Sequence, residues 1–228
     1  MIAKILRGAS TVDEQDKAAL STFAAFQIAR GPGFRGRIED FMTDIFRSLG
    51  TLMLRDKAEY GRLVRETFPD REFTSAELDE LHAGAIAAGP EVISANPTAA
   101  LGHALKVVPA ITDLLWRMSW AIMAPSVSAN FWTSDNPVYW INPDAGHPVI
   151  GHGLAAKGTE VNFPLGPRRC LLMSWSDVKG SLSTPDLCCA QERGIAGATR
   201  YLFCSTDADA EAALAAHRRM YPRRQSAQ

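Results

Sequence analysis

The chain has 228 residues, of which 46% are hydrophobic, so it is long enough to bury one substantial core. Its formal net charge is -1, from 24 Lys and Arg against 25 Asp and Glu, and this balance does not favour nucleic-acid binding through bulk charge. Since no apolar run reaches the roughly 20 residues of a membrane span, and the start is unlike a signal peptide, we expect a cytoplasmic protein with no membrane partner.

The first half of the sequence predicts helices. From Asp13 to Arg30, apolar residues recur at helical spacing with Phe23 at the centre of the apolar face, and the Gly-Pro-Gly at 31–33 ends the run. A second helix carries one continuous apolar stripe and can extend as far as Pro69. The stripe consists of Ile38, Phe41, Met42, Ile45, Leu49, Leu52 and Met53.

Two more helices are predicted before the composition changes. A short helix from Ala76 to Ala88 follows Thr74 or Ser75 as its cap and has acidic residues in its first turn. The next begins at Asn96-Pro97, and its apolar period continues to Ile122. Pro109 lies inside this last stretch and predicts a kink or a break into two helices.

Short segments typical of strands follow residue 125, at 130–134, 138–142, 160–165 and 170–175. The last two are joined by a turn at 166–169 that is typical of a hairpin. A helix from about 186 to 198, a strand at 200–205 and a final helix from 207 to about 220 complete the chain.

This order of elements predicts the fold class. Helices come first and strands later, without alternation, which indicates an α+β fold: a mainly helical N-terminal part packed on a small, largely antiparallel sheet with C-terminal helices. We expect a single domain over residues 1–228, with a helical part at about 11–124 and a β-rich part at about 129–220.

The cysteines and histidines give no strong metal signal. Cys170, Cys188, Cys189 and Cys204 form no C-x-x-C pair, and we interpret them as reduced and mostly buried. A metal site of Asp135 with His147 or His152 is the weakest hypothesis. The sequence predicts no metal site and identifies no cofactor.

The first candidate site segment lies at the end of the first helix. Gln27 and Arg30 fall within its apolar arc, and the following turn can bring Arg35 close to them. Burying a guanidinium without a partner costs several kcal/mol, and its planar fork suits phosphate or carboxylate. Arg30 is therefore either a structural clamp or part of a site for an anionic ligand.

The second candidate segment is the turn of Ser134, Asp135 and Asn136, in which Pro137 holds Asn136 extended. Such a turn either presents its polar groups to a ligand or satisfies its own backbone. If Asp135 pairs with Arg30, one ion pair accounts for both polar segments. Glu160 is a second candidate partner for Arg30.

These segments carry a resemblance to a known family. AFQIARGPGFR, FWTSDNPV and NFPLGPRRCLLM resemble, in this order, three motifs of the bacterial domain-of-unknown-function family numbered 4238, and ATRYLFCS resembles its closing A-x-R-Y strand more weakly. The resemblance covers about residues 14 to 205. Members usually begin with a further segment containing a His-His-x-x-P type motif, which this sequence lacks, so the resemblance implies a shortened form. It implies site residues but no activity.

The residues leave two hypotheses for function. In the first, an anionic, phosphate- or carboxylate-bearing ligand occupies a polar pocket, and the catalytic form of this hypothesis is a hydrolase, for example of nucleotides. Asp135 is then its general base or metal ligand, although no recognised catalytic motif is present. The ligand-binding residues are Gln27, Arg30, Arg35, Ser134 and Asn136.

The alternative is a non-catalytic binding or interaction domain in which the Arg/Asp cluster is a structural lock. Trp132, Tyr139 and Trp140 are then the natural contact residues if they are exposed. Neither the substrate nor the reaction nor the oligomeric state follows from the sequence.

Overall fold

The computed structural model describes residues 1–9, 11–125, 130–142, 153–178, 191–192 and 194–221. Helices precede a small antiparallel sheet and further helical residues follow it, which confirms the predicted α+β class. The chain divides into two compact units, one of Met1–Phe34 with Ala104–Gln228 and the other of Arg35–His103. None of the described helices is both long enough and apolar enough to cross a bilayer.

The first unit begins with two helices, α1 (Ile2–Leu6) and α2 (Glu14–Arg30). The predicted start of α2 is confirmed, because the Asp13 side chain accepts a hydrogen bond from the amide of Asp16 at 2.7 Å and so caps the helix. The predicted end is also confirmed, since Gly31 is extended at φ -60° and ψ 137°.

The buried face of α2 differs from the predicted one. Phe23, expected at its centre, is 39% exposed. The buried residues are instead Leu20, Ser21, Ala24, Ala25, Gln27, Ile28 and Ala29. Helix α7 (Val108–Arg117) packs along α2, and small alanine side chains let two helix backbones approach closely. The prediction gave weight to aromatic bulk and missed this small-residue contact.

Three helices contribute to the second unit: α3 (Pro32–Arg55), α4 (Lys57–Thr67) and α5 (Ser75–Ala88). The expectation that α3 extends as far as Pro69 is wrong. Asp56 leaves the helical conformation, and its side chain accepts hydrogen bonds from the amides of Ala58 and Glu59, so it caps a new helix. The predicted cap of α5 is confirmed as a capping box of Thr74 and Glu77.

The apolar stripe of α3 lies at the surface. No residue of this helix, which the structure describes in full, is buried, and Phe41 and Leu52 are 63% and 57% exposed. The pattern therefore predicted the helix correctly, but helical periodicity alone does not show that an apolar face is covered.

The chain continues through a short 3-10 helix (Pro90–Val92) and α6 (Pro97–Lys106) to α7. The break predicted from Pro109 is confirmed, since α7 begins one residue before it. The expected continuation of the helix to Ile122 is wrong. After Met118 the backbone becomes extended, and Ser119–Met123 form strand β1.

The sheet contains β1, β3 (Tyr139–Ile141), β4 (Glu160–Gly166) and β5 (Arg169–Ser174) in the antiparallel order β1-β5-β4-β3. The predicted hairpin is β4–β5, which has a register irregularity between Pro164 and Gly166. A separate antiparallel pair joins β2 (Thr133–Ser134) to β6 (Leu202–Phe203). The final helix α8 (Asp207–Met220) begins where predicted, capped by Thr206.

The main core of the first unit lies between the α2–α7 pair and the sheet. It joins Ile28 of α2 and Leu115 of α7 to Val161, Phe163 and Leu171 of the central strands. A smaller cluster packs Trp132 against Ile195 and against Ala213 and Ala216 of α8. Leu202 of β6 packs against this smaller cluster, and Trp132 directly precedes β2.

Candidate functional site

The second group of candidate residues, Ser134, Asp135 and Asn136, forms a turn at the end of β2. Hydrogen bonds between Ser134 and Asn136 stabilise this turn. The Ser134 hydroxyl donates to the carbonyl of Asn136 at 2.9 Å and accepts from the amide of Asn136 at 3.1 Å. Ser134 is buried, at 6% exposure, and its hydroxyl acts both as donor and as acceptor within the turn. This geometry leaves the adjacent Asp135 and Asn136 side chains directed to other parts of the chain.

Asp135 binds the segment that precedes β6. Its Oδ1 accepts a hydrogen bond from the amide of Thr199, and its Oδ2 accepts one from the amide of Arg200, both at 2.9 Å. The amide of Asp135 also donates to the carbonyl of Tyr201 at 3.2 Å. The carboxylate therefore continues the β2–β6 ladder beyond its last paired residues.

Asn136 connects the same segment to the start of α3. Its Nδ2 donates to the carbonyl of Gly197 and to the hydroxyl of Thr199, each at 2.8 Å. Its Oδ1 accepts from the amide of Gly33 at 3.3 Å. That amide lies in the first turn of α3, where backbone donors lack helical partners, so Asn136 caps the helix from a distant part of the sequence.

Two glycines make this approach possible. A Cβ atom on Gly31 would lie 2.5 Å from Asn136 Oδ1, and one on Gly33 would lie 2.9 Å from Asn136 Nδ2. Neither distance is compatible with ordinary van der Waals contact, so the Gly-Pro-Gly turn leaves room for the asparagine. We call residues 31–33, 134–136 and 197–201 together the polar junction.

The first group of candidate residues behaves differently. Gln27 is buried, at 8% exposure, and its Oε1 accepts a hydrogen bond from Arg30 Nε at 2.9 Å. Arg30 is exposed, contrary to the expectation of a buried guanidinium. The expected Arg30–Asp135 ion pair is also absent, because Arg30 bonds to Gln27 and the Asp135 carboxylate bonds to backbone amides.

Arg35, the last of the predicted ligand-binding residues, lies apart from the others in the division of the chain into compact units. Arg35 is exposed and belongs to the second compact unit. The structure therefore brings Ser134, Asp135 and Asn136 together in one turn and pairs Gln27 with Arg30. The roles assigned to these six residues, in catalysis or ligand binding, stay predictions.

The histidines and cysteines are the residues whose side chains could take part in metal or thiol chemistry. In the described part of the chain, no group of three or more His, Cys, Asp or Glu residues comes together as a metal site would require. His147, His152, Cys188 and Cys189 lie outside the described residues. Cys170 and Cys204 are free thiols, and burial raises the pKa of Cys170 to about 12.

The aromatic residues expected as a contact surface are mostly internal. Trp132 is 6% exposed and Tyr139 is 7% exposed, so neither can form an external contact, while Trp140 is half-buried. Trp132 packs in a cluster with Ile195, and Tyr139 is a buried residue of strand β3.

Sequence reasoning missed the partners of the turn, namely Gly197, Thr199 and the amide of Arg200. Backbone amides and carbonyls carry no residue signature, and these partners lie more than sixty positions away. One signal was present, because ATRYLFCS, the weakest of the four family-like segments, begins at the residue next to Gly197.

Comparisons with known proteins agree with that resemblance. No curated protein and no solved structure is significantly similar to the chain. The profile of DUF4238, described as a protein of unknown function, matches residues 1–186. This match covers most of the chain and includes the turn of Ser134, Asp135 and Asn136. The chain therefore belongs to the DUF4238 family.

Proposed function

We propose that this protein is a non-catalytic binding domain in which the polar junction is a structural lock. The observation that carries the proposal is the use of the polar atoms of Asp135 and Asn136 within the chain. These bonds join β2, the segment before β6 and the start of α3. Polar groups that already form hydrogen bonds within the chain fit a structural role better than a catalytic one. A ligand would have to displace several of these intramolecular hydrogen bonds before it could bind.

The anion-binding hypothesis, with a hydrolase as its catalytic form, receives less support from the same geometry. It requires Arg30 and Asp135 to face one ligand, whereas Arg30 bonds to Gln27 and Asp135 bonds to the amides of Thr199 and Arg200. A general base must reach the proton it removes, and both Asp135 oxygens already accept backbone protons. The proposed binding domain is also taken to be bacterial and cytoplasmic.

The proposal is tested with Asp135→Asn and the matched control Glu211→Gln. An asparagine would keep one acceptor and place an N–H group against a backbone N–H, so we expect a loss of about 2 kcal/mol. The melting temperature of the first unit should fall by roughly 4–8 °C, and hydrogen exchange should accelerate at residues 197–203. Glu211 lies on the exposed side of α8 and should change neither quantity.

A turnover screen of the full chain against nucleotides, phosphoesters and nucleic acids separates the two hypotheses. If Asp135→Asn abolished a measured turnover while leaving the melting temperature and hydrogen exchange unchanged, the lock would be refuted and the catalytic hypothesis favoured. If the full chain turns over none of these substrates and Asp135→Asn lowers the melting temperature, the structural lock is supported.

A further inference from the structure

A cleft of about 630 Å³ lies within the first compact unit, and residues 198–201 of the polar junction form part of its lining. We call it the C-terminal cleft; its lining comes from residues 195–204 and from α8 and the residue that follows it. The volume falls within the range of small-molecule sites and equals roughly 20 water volumes at about 30 Å³ each. None of the six residues predicted as catalytic or ligand-binding lines it.

The walls of the cleft are mainly apolar. Ile195 and Ala213 form its buried part, at 5% and 3% exposure, and Leu202 and Leu214 continue the surface outward. Leu214 is 57% exposed, so the cleft leaves apolar area in contact with water. A ligand with an apolar body would cover that area, and its burial would favour binding.

The charge of the lining selects for an anion. Among the described residues that line the cleft, none is acidic, while Arg200 and His217 are basic. In the described part of the chain, the Arg200 guanidinium has no hydrogen-bond or ion-pair partner. Its planar fork matches a carboxylate, and the His217 ring adds another potential hydrogen-bond donor to the lining.

The polar junction fixes the backbone of this arginine. The amide of Arg200 donates to Asp135, and the neighbouring amide of Thr199 does the same, so the backbone that presents the side chain is fixed at two points. A binding group on a fixed backbone loses less conformational freedom when it meets its ligand. The junction and the cleft are thus two parts of one arrangement.

The thiol in the cleft fits a binding role. Burial, together with the charge of Asp209, raises the pKa of Cys204, so this group stays a neutral thiol near pH 7. A neutral thiol is a poor nucleophile, and it adds to the apolar wall.

From these observations we propose that the C-terminal cleft binds an amphipathic carboxylate, with an aliphatic or aromatic body against its walls and the carboxylate at Arg200. The inference rests on the proposed function, since it names the ligand class of the binding domain. It assigns Arg200 as the anion-binding residue in place of Arg30 and Arg35.

Calorimetric titration of the full chain tests the ligand class with three probes. Octanoate has both the charge and the apolar body, octanamide is its neutral counterpart, and acetate has the charge alone. We expect saturable binding of octanoate, binding of octanamide at least tenfold weaker, and no measurable binding of acetate.

Two arginine variants test the site. Arg200→Met removes the charge but keeps the apolar stem and the amide that Asp135 binds, so the polar junction is retained. It should raise the octanoate Kd at least tenfold and leave the octanamide Kd unchanged. Arg218→Met is the matched control, because Arg218 is an exposed residue of α8 outside the cleft lining, and it should change the octanoate Kd less than twofold.

The opposite results would overturn the proposal. Absence of saturable octanoate binding, equal Kd values for octanoate and octanamide, or equal effects of Arg200→Met and Arg218→Met would each refute it. The structural lock is judged separately, by the melting temperature and hydrogen exchange of Asp135→Asn. Failure of octanoate binding with a clear Asp135→Asn effect would remove the ligand class and leave the lock intact.

Discussion

Replacing Asn136 with alanine is the most direct perturbation of the polar junction. The substitution removes three hydrogen bonds, to the amide of Gly33, the carbonyl of Gly197 and the hydroxyl of Thr199. Each contributes about 0.5–1.5 kcal/mol net, and the 3.3 Å bond to Gly33 is the weakest by distance. The expected loss is therefore about 2–3 kcal/mol, or roughly 5–10 °C in the melting temperature.

Thr199→Val provides a graded comparison, because it removes only the hydroxyl that Asn136 reaches and keeps the amide that Asp135 binds. It should cost about 1 kcal/mol in the parent protein and almost nothing in the Asn136→Ala background. Thermal unfolding followed by circular dichroism gives the energies, and hydrogen exchange at residues 31–35 and 197–201 locates the change. Additive losses, or a shift below about 1 °C for Asn136→Ala, would contradict the assigned contacts.

Other substitutions and conditions test separate features of the structure. Gly31→Ala should lower the melting temperature by several degrees in thermal unfolding, since its Cβ would lie 2.5 Å from a side-chain oxygen and within 3.3 Å of two backbone carbonyls; an unchanged value would contradict that crowding. Leu115→Ala should cost about 2–5 kcal/mol in chemical denaturation, because the residue is 0% exposed, whereas Leu52→Ala should cost less than about 1 kcal/mol; equal losses would show that the α3 stripe is covered. Desolvation alone would raise the pKa of Asp209, but hydrogen bonds from Asn130 and Thr206 outweigh it and lower the pKa below its usual 3.8. The stabilisation by this carboxylate is therefore present above about pH 4 and lost as the pH falls through the lowered value, so Asp209→Asn should reduce the difference in melting temperature between pH 7 and pH 3. Cys170, with a pKa of about 12, should resist alkylation at pH 8 in the native protein and react only after unfolding, as site-resolved mass spectrometry would show.

Helix boundaries were predictable where a local signal determined them. Asp13 and Thr74 cap the helices that follow them, and Pro109 divides the last helical stretch, each as expected. These effects act within one turn of helix, so the sequence near each boundary contains all the information required. Asp56 could have been identified by the same reasoning, because it is a strong capping residue followed by a helix-forming segment.

The contacts of the turn at 134–136 were not predictable in the same way. Asp135 was expected to meet a side chain of opposite charge, but its partners are two amides that every non-proline residue possesses. The predicted buried face of α2 was wrong for a related reason. The alanines of α2 are covered by α7, which lies about eighty residues further along the chain. Local patterns predict elements, while the choice of partner depends on the whole fold.

Because Asp135 holds Arg200 by its main chain, the Arg200 side chain contributes little to the stability of the polar junction. Replacing Arg200 with another residue would leave its peptide N–H available to the same carboxylate. The side chain at this position can therefore be exchanged while the backbone arrangement beneath it persists.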